Sequence, residues 1–311
     1  MRIVLAPMEG LAEHIMRAVL TRVAAVDWCV SEFVRVTSSV LPAKAFYRIS
    51  PELQHAARTE AGIETRVQLL GSDPEMMAAN ALKAAHLGAP VIDLNFGCPA
   101  PQVNRHRGGA ILLNEPETLY AITRAVRGAL PAEVPLTAKM RLGFDDKTRA
   151  IECAQALASG GIAELVVHAR TRAEGYRPPA HWTWIARIAE QVHIPVIANG
   201  EIWTLADYQR CQAECGIADV MLGRGLIANP GLAGEIRGLP PLAWEVIQPL
   251  LLDFYQRVLA HTLPKHAPGR VKLWLRYLAQ HYPQAAQLYA VVRSQNDAQS
   301  LLQQLQAGMT R

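Results

Sequence analysis

The chain has 311 residues, half of them hydrophobic and 19% charged, with a formal net charge of +4. A sizeable core is within its reach, as one large α/β domain or two unequal ones, and the chain is expected to fold on its own. Its five cysteines, Cys29, Cys98, Cys153, Cys211 and Cys215, are odd in number and scattered, which excludes a secreted disulfide framework and points to a reduced, cytoplasmic protein.

No apolar run approaches the ~20 residues that span a bilayer, and the opening MRIVLAPMEG reaches Pro7 too soon for a signal peptide. No membrane contact is therefore expected. Cys211 and Cys215 lie four residues apart on an expected helix with no His or second Cys pair nearby, so no metal site is expected either.

In chain order, short β-branched or aliphatic runs alternate with helical stretches, the pattern of β-α units around a parallel sheet. Strands are expected near 3–6, 28–31, 66–70, 91–94, 136–140, 165–167, 196–198 and 220–222. Eight units in roughly 240 residues match a closed (β/α)8 TIM barrel. An open doubly wound sheet would carry a glycine-rich phosphate turn after its first strand, whereas here that strand runs into APMEG.

Each strand is followed by polar residues: Glu9 after the first, Glu32 and Arg35 after the second, and Gln68 at the third. Asn95 and Cys98 follow the fourth, Lys139 and Arg141 close the fifth, and His168 and Arg170 the sixth. Asn199, Gly200 and Glu201 end the seventh, and Gly223 and Arg224 the eighth. In a barrel these ends converge on the face where active sites are built. His168 alone is open to two readings, a satisfied core histidine or a ligand contact. Cys98 in DLNFGCPAPQ is similarly open, a core cysteine at a turn or a reactive thiol on a loop.

The strand pattern stops near Pro241. Residues 242–311 show helical periodicity only and are expected to form a small all-helical domain behind a 1–241 barrel. The charge divides at the same point: 1–241 carry 24 Lys/Arg and 24 Asp/Glu, while 242–311 carry 7 against 3. A basic appendage on a neutral body suggests a polyanionic partner. Its Lys265–Tyr277 stretch interleaves bases with aromatics as phosphate pairing and base stacking would, although Trp274 and Tyr277 at i,i+3 also suit a buried helix face.

ANGEIW and GRG, after strands seven and eight, have the composition of a barrel phosphate site, with glycines that admit an anion to backbone N–H groups and Arg224 as a fixed charge. Lys139 could face the far end of such a ligand and stabilise an anionic ring.

At this point the chain resembles the tRNA-dihydrouridine synthases over essentially its whole length. The resemblance rests on LAPMEG (5–10), VQLLG (67–71), DLNFGCP (93–99), GGAILL (108–113), AKMRLG (138–143), VVHARTRAEGY (166–176), PVIANGEI (195–202) and VMLGRG (220–225). RIVLAPMEG, SEFVRV and RVKLWLRYL make it most similar to the bacterial C-type branch. The resemblance implies FMN bound by Pro7, Met8, Glu9, Gln68, Lys139, His168, Asn199, Gly200, Glu201, Gly223 and Arg224, with Cys98 as catalytic proton donor and NADPH as reductant. It implies tRNA, at its D-loop and elbow, facing Arg35, Asn95, Arg141, Tyr176, Arg270, Lys272, Trp274 and Arg293, with uridine 16 the expected target and a monomer the expected state. Ala169 stands where the family often has Gly, which should only crowd that loop slightly.

The implied chemistry is reduction of the uracil 5,6 double bond, with hydride to C6 and a proton to C5. A thiol with a pKa near ~8.5 is mostly protonated at neutral pH and can give that proton. Gly97 and Pro99 would let the loop swing over the base, and the base must be flipped or in a loop to reach a flavin. Two other readings stand beside this one: an FMN barrel reductase of a free small molecule such as a pyrimidine, and a tRNA-binding protein whose flavin is structural.

Overall fold

The structure, a computed structural model, describes residues 1–308; the last three residues of the expected helical unit lie outside the described residues. Eight parallel strands close into a barrel in sequence order: β1 (Ile3–Leu5), β2 (Trp28–Arg35), β3 (Glu64–Leu70), β4 (Ile92–Phe96), β5 (Leu136–Arg141), β6 (Glu164–His168), β7 (Val196–Asn199) and β8 (Val220–Leu222). β1 completes the ring against β8, with Val4 opposite Met221 and Leu5 opposite Leu222. The expected strands all form, and β2 and β4 run further toward the polar end than their aliphatic cores indicate.

Strand pleating explains why the polar strand ends converge, because alternate side chains share a face. Val4, Val30, Val166, Ile197 and Met221 fill the barrel interior as one apolar cluster, while Leu5, Leu69, Leu94 and Val167 face the surrounding helices in the main core. Continuing the interior parity places Gln68, Asn95, Lys139, His168 and Asn199 at the carboxyl end of the same lumen. Register sets Asn95 opposite Lys139, Arg141 opposite His168, and His168 opposite Asn199. A bulge between Val30 and Phe33 shifts β2, so that Phe33 lies opposite Gln68.

Beyond the barrel come helices Trp244–His261, Ala267–Leu278, Pro283–Val292 and Ala298–Gly308. Ile247, Phe254, Val271, Leu275 and Leu301 join the cluster that also holds the barrel's outer side chains. Trp274 belongs to that core and not to a nucleic-acid surface. It is 0% exposed, stands edge-on to Phe254 at 5.0 Å, and donates its Nε1–H to the Ile227 carbonyl at 3.1 Å. A wholly buried ring with its single donor satisfied has no face left for a base. Among the described residues, no helix is long and apolar enough to cross a membrane, and no cluster of His, Cys, Asp and Glu could hold a metal ion.

Candidate active site

A cavity of about 590 Å³ opens at the carboxyl ends of the strands. Pro7, Met8 and Glu9 line it after β1, Gln68 from β3, Lys139 from β5 and His168 from β6. Asn199, Gly200 and Glu201 close one side, Gly223 and Arg224 the next, and Cys98 reaches it from the loop after β4. Asn95, Arg141 and Tyr176 share the same walls.

The backbone around Cys98 is hydrogen-bonded from both sides. A directed chain of hydrogen bonds fixes it from within the barrel: Thr137 Oγ1 donates to Asp93 Oδ1 at 2.6 Å, and Gln68 Nε2 donates to Asp93 Oδ2 at 2.7 Å. Because a carboxylate only accepts, Gln68 must turn its carbonyl outward, where it accepts from Asn95 Nδ2 at 2.7 Å. Asn95 Oδ1 is then left to accept the N–H groups of Gly97 and Cys98, at 3.0 and 2.9 Å. From the far side, Asn104 Nδ2 and the Ala110 N–H both donate to the Cys98 carbonyl. Gly109, at φ +69°, lets the chain pass where a Cβ would lie 2.9 Å from the Cys98 Cβ.

Arg141 completes this frame, a role beyond the one expected. It is 3% exposed, its Nε donates to the Gly97 carbonyl at 2.9 Å, and its Nη1 donates to the carbonyls of Thr171 and Gly175 at 3.0 and 2.9 Å. A guanidinium whose Nε and Nη1 serve three backbone carbonyls ties the loops after β4 and β6 together while it lines the cavity wall. Lys272 departs from expectation, because its ammonium donates to the carbonyls of Arg293 and Gln295 and to Asn296 Oδ1. It holds the turn after helix Pro283–Val292. Arg270 pairs with Glu13 Oε2 at 2.6 Å, linking the C-terminal helices to the segment behind Met8 and Glu9, while Arg293 is exposed.

Electrostatics divides the cavity. Burial, with the positive charge of Arg141 beside it, brings the Lys139 ammonium down to about 7. His168 is driven well below its usual range by burial and by the cations Arg141 and Lys139, so its ring is neutral. Its Nδ1 has no hydrogen-bond partner. A buried ring nitrogen left unpaired in a cavity wall costs free energy unless a ligand meets it. Burial pushes the Cys98 thiol up, helped by the Glu9 carboxylate and opposed by a hydrogen bond from the Ala100 backbone and by Arg141. The thiol is thereby kept protonated.

Trp203 and Phe33 carry no assignment from the sequence, and Tyr176, Arg170 and Tyr277 gain partners that it does not indicate. Trp203 and Tyr176 hold the Arg224 guanidinium between their rings, at 5.0 and 4.4 Å from the ring centres. Arg170 is fully buried and ion-pairs with Glu201, a residue held at φ +62°. Phe33 and Tyr277 complete the lining, Tyr277 coming from helix Ala267–Leu278. Trp203 ends the ANGEIW segment and Tyr277 the basic-aromatic stretch, so both lay inside stretches already singled out, but without a partner to define them.

The residues present fit a flavin phosphate ester. Glycine-bounded backbone and a clamped Arg224 offer an anion site, and Lys139 with the unpaired His168 nitrogen offers polar contacts to a flat ring. Comparison with known proteins agrees. The family model described as Dihydrouridine synthase (Dus) matches residues 4–307. The tRNA-dihydrouridine(16) synthase of Aquipseudomonas alcaligenes is 54% identical, covering 98% of this chain and 99% of that protein, and the one of Pseudomonas putida is 55% identical, covering 96% and 94%. Among solved structures, the old yellow enzyme homologue from Zymomonas mobilis superimposes with a TM-score of 0.52 at 15% identity, covering 79% of this chain and 91% of that one, a likeness of fold.

Proposed function

The chain belongs to the dihydrouridine synthase family, whose members reduce uridine to dihydrouridine with a flavin, and from that premise we propose that it acts on uridine 16 in the D-loop of tRNA, using FMN re-reduced by NADPH. When bound, the reduced flavin supplies the hydride for C6 of the uracil. The observation that carries the reading is the Cys98 thiol, kept protonated and carried by a hydrogen-bonded loop on the wall of the cavity that Lys139, His168 and Arg224 also line.

Cys98 gives its proton to C5 as the base accepts hydride, leaving a thiolate that the nearby Arg141 and Arg35 cations favour. Asn95 spends one amide hydrogen on Gln68 and keeps a second for a uracil carbonyl. Lys139 offsets negative charge on the ring, and Pro7, Met8, Glu9, Asn199, Gly200, Glu201 and Gly223 enclose it. A uracil stacked in a helix cannot enter such a cavity, so the target must be a flipped loop nucleotide. Residues 242–311 serve as the docking unit for the tRNA elbow, with Arg270, Arg293 and Tyr176 toward the nucleic acid and Tyr277 linking that unit to the cavity. A cytoplasmic monomer suits this work.

Mapping dihydrouridine in tRNA from cells lacking the protein tests the reading. Loss at position 16 alone, restored by the wild-type gene and not by Cys98→Ala, is the expected result. Retention of dihydrouridine 16 would overturn it.

A further inference from the structure

A second cavity, of about 320 Å³, lies beside the first and shares Glu9, Phe33 and Ala100 with it. Its apolar wall is made by Val34, Ile49 and Val103. Arg35, Arg48 and Gln102 add polar groups, and among the described residues neither arginine has an ion-pair or hydrogen-bond partner. Many other arginines of this chain, Arg17, Arg66, Arg170 and Arg257 among them, are paired with carboxylates. Two free guanidinium groups over an apolar wall suit one chemistry, a planar base carrying a phosphate.

We propose that this cavity is a second nucleotide subsite, in which Arg48 and Arg35 hold the phosphate and the apolar wall takes the base of a nucleotide next to the reacting uridine. The inference rests on the tRNA reading above. A uridine inside RNA arrives with its neighbours covalently attached, so with the target base beside Cys98 an adjoining nucleotide must lie within one phosphodiester of the rim. The shared Glu9 and Phe33 wall meets that requirement, and the Phe33 ring offers a stacking surface between the two bases. The phosphate of a nicotinamide dinucleotide shares the same chemistry and is the rival occupant.

Arg48 is exposed on helix Ala43–Ile49, so its replacement spares the core. The probes are an unmodified tRNA transcript and NADPH. Arg48→Ala is expected to bind the transcript about tenfold more weakly and to flatten the slope of log K against log salt by about one. Arg48→Lys should recover the slope, and flavin reduction by NADPH should run at the wild-type rate. Wild-type transcript affinity and salt slope in both Arg48→Ala and Arg48→Glu would overturn the subsite while leaving the function intact. A raised NADPH KM with unchanged tRNA binding would overturn it in favour of the reductant. Failure of the wild-type enzyme to form dihydrouridine in the transcript would instead remove the tRNA reading, and the subsite with it.

Discussion

Gln68 Nε2 donates to the buried Asp93 carboxylate at 2.7 Å, and the direction of that bond sets the orientation of every amide between Asp93 and the Cys98 loop. Asp93→Leu removes the acceptor that Gln68 Nε2 and Thr137 Oγ1 share, so the chain loses its direction. The expected outcome is faster hydrogen exchange at Gly97 and Cys98 with flavin retained, and a dihydrouridine rate lowered by about 10²-fold as the thiol loses its position. Unchanged exchange and rate would show that the loop is held by Asn104 and Arg141 alone.

Arg141→Met tests the opposite side of the frame. Removing the guanidinium strands the carbonyls of Gly97, Thr171 and Gly175, at a cost of about 1–3 kcal/mol for each one that water does not reach. Thermal unfolding should show the loss. The affinity of the folded variant for tRNA should stay close to wild type, since the guanidinium serves the protein's own carbonyls.

Cys98→Ala is expected to bind flavin and accept electrons from NADPH while losing about 10²–10⁴-fold in dihydrouridine formation. Because burial raises the thiol's pKa, the proton-donating form persists through neutrality. In Lys139→Met, which lacks the lysine's own titration near 7, the single-turnover rate of pre-reduced enzyme should stay flat through pH 7–8 and fall only when the pH exceeds the ordinary thiol range, ~8.5. A rate that fell between pH 6 and 8 would contradict this assignment.

Lys139 titrates near 7 in the fold and near ~10.4 when unfolded. Between those values the unfolded chain binds the extra proton, so the flavin-free protein gains stability as pH rises from about 7 toward 10. Lys139→Met should remove that slope and weaken flavin binding or slow its reduction. Identical Tm-against-pH profiles for wild type and variant would refute the assigned burial.

Trp274→Ala should destabilise the protein by about 3–5 kcal/mol, the cost of emptying a fully buried ring site. Trp274→Phe should recover much of that stability. Neither change should alter tRNA affinity in the fraction that remains folded, which filter binding after removal of aggregates would measure.

The sequence by itself determined the barrel, its strand centres and its polar rim. Strand propensity and period-two alternation are local properties, and the carboxyl ends of eight parallel strands must meet wherever the ring closes. Lys139, His168 and Asn199 could be assigned to one cavity on that ground alone. Only the tertiary structure decided what the long polar and aromatic side chains do, because their partners lie far away along the chain. Trp274 reads equally well as a stacking surface until Ile227 and Phe254 cover it, and Lys272 reads as a phosphate contact until the turn at Arg293 to Asn296 takes its ammonium. Arg141 and Arg48 are chemically identical side chains in the sequence. Burial forces one to satisfy backbone carbonyls within the protein, while exposure leaves the other free for a ligand.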